Sequence, residues 1–193
     1  MVNSIKTLEE INTLRNWFKC HNDKSYDFHL LYFDLGINTC YTIDELQNLK
    51  WYELLNNDGT VVDSIMYNGY KFFINNNCKK SIVTYRLKYF SEIISDYVFE
   101  PLGRNLGKPI SFEGINKMLR IATRECNLPY NITALSLRKT FAYWQIDMYK
   151  YDYKKLCQLQ DILGNTKCNL KVTFEYAEYP LDNSYMYINE QLL

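Results

Sequence analysis

The sequence predicts a mainly α-helical domain that carries one small antiparallel β-hairpin. Apolar side chains recur at helical spacing in several stretches, which are separated by capping residues, glycines and prolines. An Asn68-Gly69 step between two β-prone runs is a strong hairpin signal. With 193 residues, of which 47% are hydrophobic, the chain is long enough to bury one full core. We therefore expect one compact domain.

Charge and cysteine content narrow the functional classes. The net charge is zero, but the stretch from Arg104 to Lys139 contains seven basic residues and two acidic ones, a local surplus of +5. Such a surplus is compatible with a nucleic-acid-binding surface and equally with an ordinary solvent-exposed face. The six cysteines form no Cys-x-x-Cys pair and the two histidines precede residue 30, so we expect no metal and no cofactor. The chain lacks an apolar run of roughly 18 residues and a signal peptide, which predicts a soluble, cytoplasmic protein without a membrane partner.

The N-terminal stretch predicts two helices. Thr7 and Glu10 form a capping-box pattern at the start of a helix over residues 7–20. The densely apolar run Phe28–Leu35 predicts a buried helix, which Gly36 would stop.

A second capping-box pattern precedes the hairpin. Thr42 and Glu45 have the spacing of an N-cap and its partner in the third helical position. Val61–Tyr67 and Tyr70–Ile74 are β-prone and flank the Asn-Gly step, which favours a type I′ turn.

Four further helical stretches follow. Apolar spacing predicts a helix over residues 78–99, ended by Pro101. Ser111 is a predicted N-cap for an amphipathic helix with Phe112, Ile115, Leu119 and Ala122 inside and Glu113, Asn116, Lys117, Arg120 and Arg124 outside. The next helix has a core stripe of Leu137, Phe141, Trp144 and Met148, and a short helix follows over residues 154–163.

Three short motifs follow one another near the end of the chain. Leu135-Ser136-Leu137-Arg138 precedes Leu163-Gly164-Asn165, which precedes Thr173-Phe174-Glu175-Tyr176. Upstream, the stretch from Thr42 to Trp51 carries Glu45, Leu46 and Leu49. This pattern resembles the catalytic domain of the tyrosine recombinase (phage integrase) family, whose motifs are His-x-x-Arg, Leu-Gly-His, Thr-x-x-Tyr and an upstream Arg-x-x-Glu-Leu-x-x-Leu-x-Trp box.

The resemblance implies a degenerate active site. Arg138 and Tyr176 match one catalytic arginine and the nucleophilic tyrosine of the family. The remaining catalytic positions are substituted, with Thr42 at the first arginine, Met66 at the lysine of the hairpin, and Leu135 and Asn165 at the two histidines. Removing one preorganised donor of this kind costs on the order of 10²- to 10³-fold in rate. We therefore expect no useful strand cleavage.

The same resemblance implies a DNA-binding helix. The N-terminal half of the helix that follows Ser111 would enter the major groove, where amide and cationic side chains pair with base edges. A solvated amphipathic face is the alternative. The residues expected at DNA are Arg104, Lys108, Ser111, Asn116, Lys117, Arg120, Arg124 and Lys139.

We therefore expect sequence-specific binding of double-stranded DNA by a catalytically degenerate domain, acting as a transcriptional regulator, a repressor of a phage or mobile element. One alternative is an active site-specific recombinase that uses Tyr176 as nucleophile and Lys71 as acid, with Arg86 or Arg104 replacing the missing arginine. Another is a protein-only oligomerisation module.

The expected domain covers residues 5–180, and residues 181–193 form a tail. By resemblance the tail docks on a neighbouring subunit and supports a homo-oligomer, although folding back onto its own domain is equally compatible. Family members also carry an N-terminal helical domain that closes a clamp around DNA. Because the resemblance begins near Ile5, we expect either a fragment or a single-domain member.

Overall fold

The described chain folds into α-helices and one β-hairpin. The computed structural model describes residues 2–21, 23–89, 96–100, 107–164 and 170–180. Within these residues lie nine α-helices and one two-stranded antiparallel sheet, so the predicted fold class is confirmed. Their bounds are α1 Leu8–Cys20, α2 Lys24–Asn38, α3 Ile43–Gln47, α4 Trp51–Leu54, β1 Ser64–Tyr67, β2 Tyr70–Phe73, α5 Asn76–Tyr89, α6 Phe112–Glu125, α7 Ala134–Tyr149, α8 Tyr153–Ile162 and α9 Leu170–Ala177. None of the described helices has the length and apolar character needed to cross a membrane.

Helix α1 begins at the predicted capping box. The Thr7 hydroxyl accepts a hydrogen bond from the Glu10 backbone N–H at 3.2 Å, and the Glu10 carboxylate accepts one from the Thr7 N–H at 3.3 Å. These bonds satisfy N–H groups that have no partner inside the helix. The buried face of Ile11, Leu14 and Phe18 packs against α2.

Helix α2 is the central element of the fold. Every residue from Phe28 to Ile37 is buried, because α1, α5 and α7 pack around the helix. The predicted buried helix is confirmed, but the stop at Gly36 is wrong, since α2 continues to Asn38. Gly36 instead permits a close approach by α7. A Cβ atom added at Gly36 would lie 2.7 Å from Leu137 Cδ1.

The predicted hairpin is confirmed, but its strands are shorter than the predicted runs, since β1 begins at Ser64 instead of Val61 and β2 ends at Phe73 instead of Ile74. Asn68 and Gly69 have φ angles of 48° and 80°, the two positive values that a type I′ turn requires. Met66 pairs directly with Lys71 across the two strands, and both side chains are exposed. Tyr67, one residue along, is buried on the opposite face of the sheet.

Residues 96–100 are not helical, contrary to the prediction of a helix up to residue 99. The described part of α5 ends at Tyr89. The Trp51 N–H donates to the Asp96 carbonyl at 2.9 Å, and the Val98 N–H donates to the Leu49 carbonyl at 2.8 Å. This backbone pairing with a distant segment keeps the stretch out of a helix, and apolar spacing alone does not reveal it.

Helices α6, α7 and α8 lie close to their predicted positions. Ser111 caps α6 by accepting a hydrogen bond from the Gly114 N–H at 3.4 Å. In α7, Leu137 and Phe141 are buried as predicted, but Met148 is 67% exposed. Ile146 is fully buried instead. The packed face of α7 therefore turns away from the predicted stripe near the end of the helix.

An N-terminal strap, which we define as residues 2–6, joins α7 to α9. Ser4 and Ile5 are fully buried. The Ile5 N–H donates to Thr140 Oγ1 at 2.8 Å, and the Trp144 indole N–H donates to the Ile5 carbonyl at 3.0 Å. Ser4 Oγ donates to the Ala177 carbonyl at 3.0 Å. The strap thus fixes the end of α9 relative to α7.

Replacing Gly36 by alanine tests the contact between α2 and α7. Because the added methyl group overlaps Leu137, Gly36→Ala should lower the free energy of unfolding by about 1 to 3 kcal/mol. The matched control is Gly114→Ala in α6, where the new Cβ meets its nearest neighbours at 3.7 Å. The control should be neutral or stabilising by up to about 1 kcal/mol. Chemical denaturation measures both, and equal stabilities would contradict the close approach.

Candidate functional site

Arg138 connects α7 to the segment between α2 and α3. Its Nε atom donates a hydrogen bond to the Cys40 carbonyl at 2.9 Å, and the side chain is half-buried. Leu137, the preceding residue, contacts Gly36, so the same turn of α7 carries both the helix packing and the guanidinium. Arg138 also lies near enough to Glu45 for its charge to act on that carboxylate.

Thr42 is a helix cap, as its pattern predicts. The Thr42 hydroxyl accepts a hydrogen bond from the Glu45 N–H at 3.3 Å, and Glu45 Oε2 accepts one from the Thr42 N–H at 2.8 Å. Tyr67 Oη also donates to Glu45 Oε2, at 2.9 Å. At the position where the resemblance expects an arginine, the chain therefore carries a neutral cap.

The carboxylate of Glu45 is stabilised in its ionised form. Burial opposes ionisation, but the hydrogen bonds from Thr42 and Tyr67 and the charge of Arg138 outweigh it and lower the pKa of Glu45. The partner phenol shifts the other way, since burial and the bond to Glu45 raise the pKa of Tyr67 to about 12. The Glu45 carboxylate therefore offsets much of the positive charge that Arg138 could offer to a phosphate.

Tyr176 lies on α9 with its phenol turned inward. Its Oη atom is buried and forms no hydrogen bond with any residue that the structure describes. Burial raises the pKa of Tyr176, and the nearby guanidinium of Arg138 lowers it by less. Arg138 thus lies close enough to the phenol to favour its ionised form through charge and a polar contact. A buried phenol with a raised pKa is a poor nucleophile in this arrangement.

The other substituted positions supply no charge at this cluster. Leu135 is half-buried at the start of α7, and Met66 is 65% exposed on β1. Asn165 lies outside the described residues, as does Arg104. The structure therefore brings together Thr42, Arg138 and Tyr176 through Cys40, Glu45 and Tyr67.

A stripe of cations runs along the outer face of α6. We call Lys117, Arg120 and Arg124 the basic stripe, because their spacing of three and four residues places them on one side of the helix. All three side chains are exposed, and none forms an ion pair with another described residue. Lys108 and Ser111 are also exposed and lie just ahead of the helix.

Comparisons place this arrangement among known folds. No protein-family model and no curated protein sequence matches the chain. Among solved structures, XerA recombinase is similar at 18% identity with a TM-score of 0.64, over 99% of this chain and 65% of that chain. XerH site-specific recombinase, bound to palindromic difH substrate, is similar at 17% identity with a TM-score of 0.63, over 93% of this chain and 50% of that one.

The Tn1549 transposon integrase, in complex with circular intermediate DNA, is similar at 17% identity with a TM-score of 0.62, over 94% of this chain and 62% of that chain. The chain has the fold of a tyrosine recombinase catalytic domain. It spans between half and two thirds of the length of these three chains.

Asn116 is buried inside this tyrosine recombinase fold, where it contacts the start of α7. The prediction that it lies on the outer face of α6 is wrong, because the residue is only 3% exposed. Its Oδ1 atom accepts a hydrogen bond from the Ala134 N–H at 2.9 Å. Ala134 is the first residue of α7, so Asn116 supplies a cap from a neighbouring helix. The amide is therefore not available to a base edge.

Lys139 is also occupied within the chain. Its Nζ atom donates to the Val2 carbonyl at 2.8 Å and pairs with Glu178 at 3.0 Å. The ammonium lies 5.8 Å from the centre of the Tyr176 ring. The Lys139 ammonium is therefore bonded to the strap and paired with the Glu178 carboxylate just after α9, and a contact of Lys139 with DNA stays a prediction.

Sequence reasoning did not identify Tyr67 or Glu45 as members of the cluster around Arg138. The available signal was local: Glu45 completes a capping box, and Tyr67 alternates with Met66 in a strand that buries one face. Only the packing of the hairpin against α3 brings the phenol of Tyr67 to the carboxylate of Glu45.

Asn116→Ala should lower the free energy of unfolding by about 1 to 3 kcal/mol, because the Ala134 N–H loses its buried acceptor. Lys117→Ala, at the adjacent exposed position, is the matched control and should change stability by less than about 0.5 kcal/mol. Urea denaturation of both variants measures the difference. If Asn116→Ala were as stable as the control, the capping role of Asn116 would be refuted.

Proposed function

We propose that this domain binds specific duplex DNA through α6 and does not cleave it. The observation that carries the proposal is the basic stripe, in which three exposed cations share one helix face and have no ion-pair partner in the described chain. An α-helix fits the major groove, where arginine and lysine pair with guanine and with phosphates. Because the chain is neutral overall, this local charge would orient the domain on DNA.

The proposed interface differs from the set expected from the sequence. It keeps Lys108, Ser111 and the basic stripe, and it omits Asn116 and Lys139, whose polar groups are bonded within the protein. Arg104 lies outside the described residues and is retained only as a proposal. The resulting surface is cationic with few amides, which favours guanine and phosphate contacts over adenine contacts.

Similar structures support DNA as the partner. XerH was solved bound to its difH substrate, and the Tn1549 integrase was solved with transposon DNA. The chain shares its fold with those proteins over more than nine tenths of its own length. We therefore assign to this chain the same class of ligand, a DNA duplex.

Loss of catalysis follows from the charge at the cluster. Cleavage by a tyrosine passes through a crowded, highly charged phosphorane-like state that requires several fixed donors. Among the matching positions Arg138 provides the one cation, since Thr42 is a cap, Met66 and Leu135 are apolar, Asn165 offers only a neutral amide, and no histidine follows His29. Each lost donor typically costs on the order of 10²- to 10³-fold.

A domain that binds a specific site without cutting it is suited to regulation. Occupying a promoter or a recombination site would exclude other proteins, so we propose a repressor of a phage or mobile element. The tail over residues 181–193, which lies outside the described residues, would join two copies on neighbouring half-sites. Two linked copies would bind more tightly than one.

A second candidate is an active recombinase that uses Tyr176 as nucleophile. The hairpin register favours it, because Lys71 lies directly opposite Met66 on the same exposed face. The Cβ atoms of such a pair are about 4.5 to 5.5 Å apart, so the Lys71 ammonium reaches much of the space that a lysine at position 66 would occupy. The absence of the first arginine and of both histidines disfavours this candidate.

Alanine variants of the basic stripe test the proposed interface. Lys117→Ala and Arg120→Ala should each weaken specific DNA binding by roughly 1 to 3 kcal/mol if the side chains read bases. Lys154→Ala is the matched control, because it also removes one exposed lysine. Lys154 lies at the start of α8, which follows the C-terminal end of α7, whereas α6 contacts the N-terminal end of α7 through Asn116. Fluorescence anisotropy with a selected duplex measures all three.

The salt dependence of binding separates phosphate contacts from base contacts. A variant that loses one phosphate contact should lower the slope of log affinity against log salt by about one. If both stripe variants kept wild-type affinity and slope, or if Lys154→Ala weakened binding equally, α6 would not be the DNA-binding helix.

A further inference from the structure

We propose that a cavity between α1, α2 and α5, lined mostly by charged and polar residues, binds a small anion that carries a phosphate or carboxylate group. The cavity has a volume of about 260 Å³ and is lined by side chains from all three helices. None of its lining residues belongs to the cluster around Arg138 or to the basic stripe. The site is therefore separate from the proposed DNA interface and does not depend on it.

A recessed arginine provides the principal binding group. The Arg15 side chain lines the cavity and is only 12% exposed. Its Nε atom donates to Asp34 Oδ1 at 2.6 Å, and Ser81 Oγ donates to Asp34 Oδ2 at 2.5 Å. Both carboxylate oxygens are thus occupied, so Asp34 fixes the plane of the guanidinium. The two Nη groups make no hydrogen bond to a described residue, which leaves them for an external acceptor.

The charge of the lining favours an anion. Arg15, Lys19, Lys80 and Lys88 contribute four positive charges against the two carboxylates of Asp27 and Asp34, a formal surplus of +2.

Ion pairs within the chain reduce the charge that the lining offers to a ligand. The Lys88 ammonium pairs with Asp27 at 2.7 Å and the Arg15 guanidinium pairs with Asp34 at 2.6 Å, so the charges of each pair largely cancel and the surplus of +2 lies on Lys19 and Lys80. Lys19 and Lys80 are exposed at the mouth and form no ion pair with another described residue. A buried, oriented guanidinium with two lysines at the entrance suits the bidentate binding of a phosphate or carboxylate.

The size of the cavity limits the ligand. A volume of about 260 Å³ lies just below the roughly 300 to 1,000 Å³ of typical ligand pockets. A free phosphate or a small phosphorylated or carboxylic metabolite fits that space. The phosphate of a DNA backbone has the same chemistry, but the recessed position of Arg15 favours a free molecule that can enter the cavity.

Inorganic phosphate is the probe that tests the site. It is titrated into the full chain by calorimetry and by thermal unfolding, with chloride adjusted to hold the ionic strength constant. The wild type should bind one phosphate saturably, and its Tm should rise with phosphate concentration as mass action requires. Lys19→Gln combined with Lys80→Gln should weaken phosphate binding by about tenfold or more, since hydrogen bonds to charged groups are lost.

Matched variants make the test specific. Lys154→Gln combined with Lys155→Gln removes the same charge from the exposed face of α8 and should leave phosphate binding unchanged. Arg15→Lys keeps a positive charge beside Asp34 but lacks the planar guanidinium, and should abolish saturable binding while circular dichroism reports a folded chain.

Three outcomes would overturn the proposal. One is the absence of a saturable phosphate response in the wild type. Another is an equal loss of phosphate binding in the Lys19→Gln/Lys80→Gln variant and in the Lys154→Gln/Lys155→Gln control, which would indicate a general salt effect. The third is a titration in which the Lys19→Gln and Lys80→Gln changes weaken the binding of duplex DNA but not the binding of phosphate. That result would assign this surface to a contact with the DNA backbone.

Discussion

The close packing of α7 on the buried helix α2 determines where the candidate site forms. Helix α2 is enclosed on all sides from Phe28 to Ile37, and Gly36 allows the Leu137 side chain to approach its backbone. Arg138, the next residue, then reaches the Cys40 carbonyl just beyond the end of α2. One contact between two helices therefore positions the only catalytic-type arginine that the described part of the cluster holds.

Around Arg138, the described side chains of the cluster include the carboxylate of Glu45 and the phenols of Tyr67 and Tyr176. Glu45 accepts hydrogen bonds from Thr42 and Tyr67 and remains ionised near Arg138, whereas a phosphate site needs a second cation there. The phenol of Tyr176 is buried. In contrast, the outer face of α6 carries three cations without ion-pair partners among the described residues. Helix α6 therefore presents its cations to solvent, whereas the charge of Arg138 has the Glu45 carboxylate close to it.

The sequence predicted those features that depend on neighbouring residues. Each helix cap and the hairpin turn depends on residues within about four positions of one another, so the local sequence pattern was enough to predict it. These features are the caps at Thr7, Thr42 and Ser111 and the Asn-Gly turn. The close packing of Leu137 on Gly36 and the burial of Asn116 depend on contacts between residues that are far apart in the sequence. Hydrophobic spacing says which face of α6 is apolar, but it cannot show that an asparagine at its border caps another helix.

The most direct test of binding without cleavage is a suicide-substrate assay. Purified protein is incubated at low salt with nicked duplexes built around a site selected from random and host-derived DNA. Band shift and covalent adduct are then scored on the same samples. We predict a band shift that decreases with salt, without a covalent adduct. An adduct that disappears in Tyr176→Phe would contradict the account, because it would mean that the cluster around Arg138 performs strand cleavage.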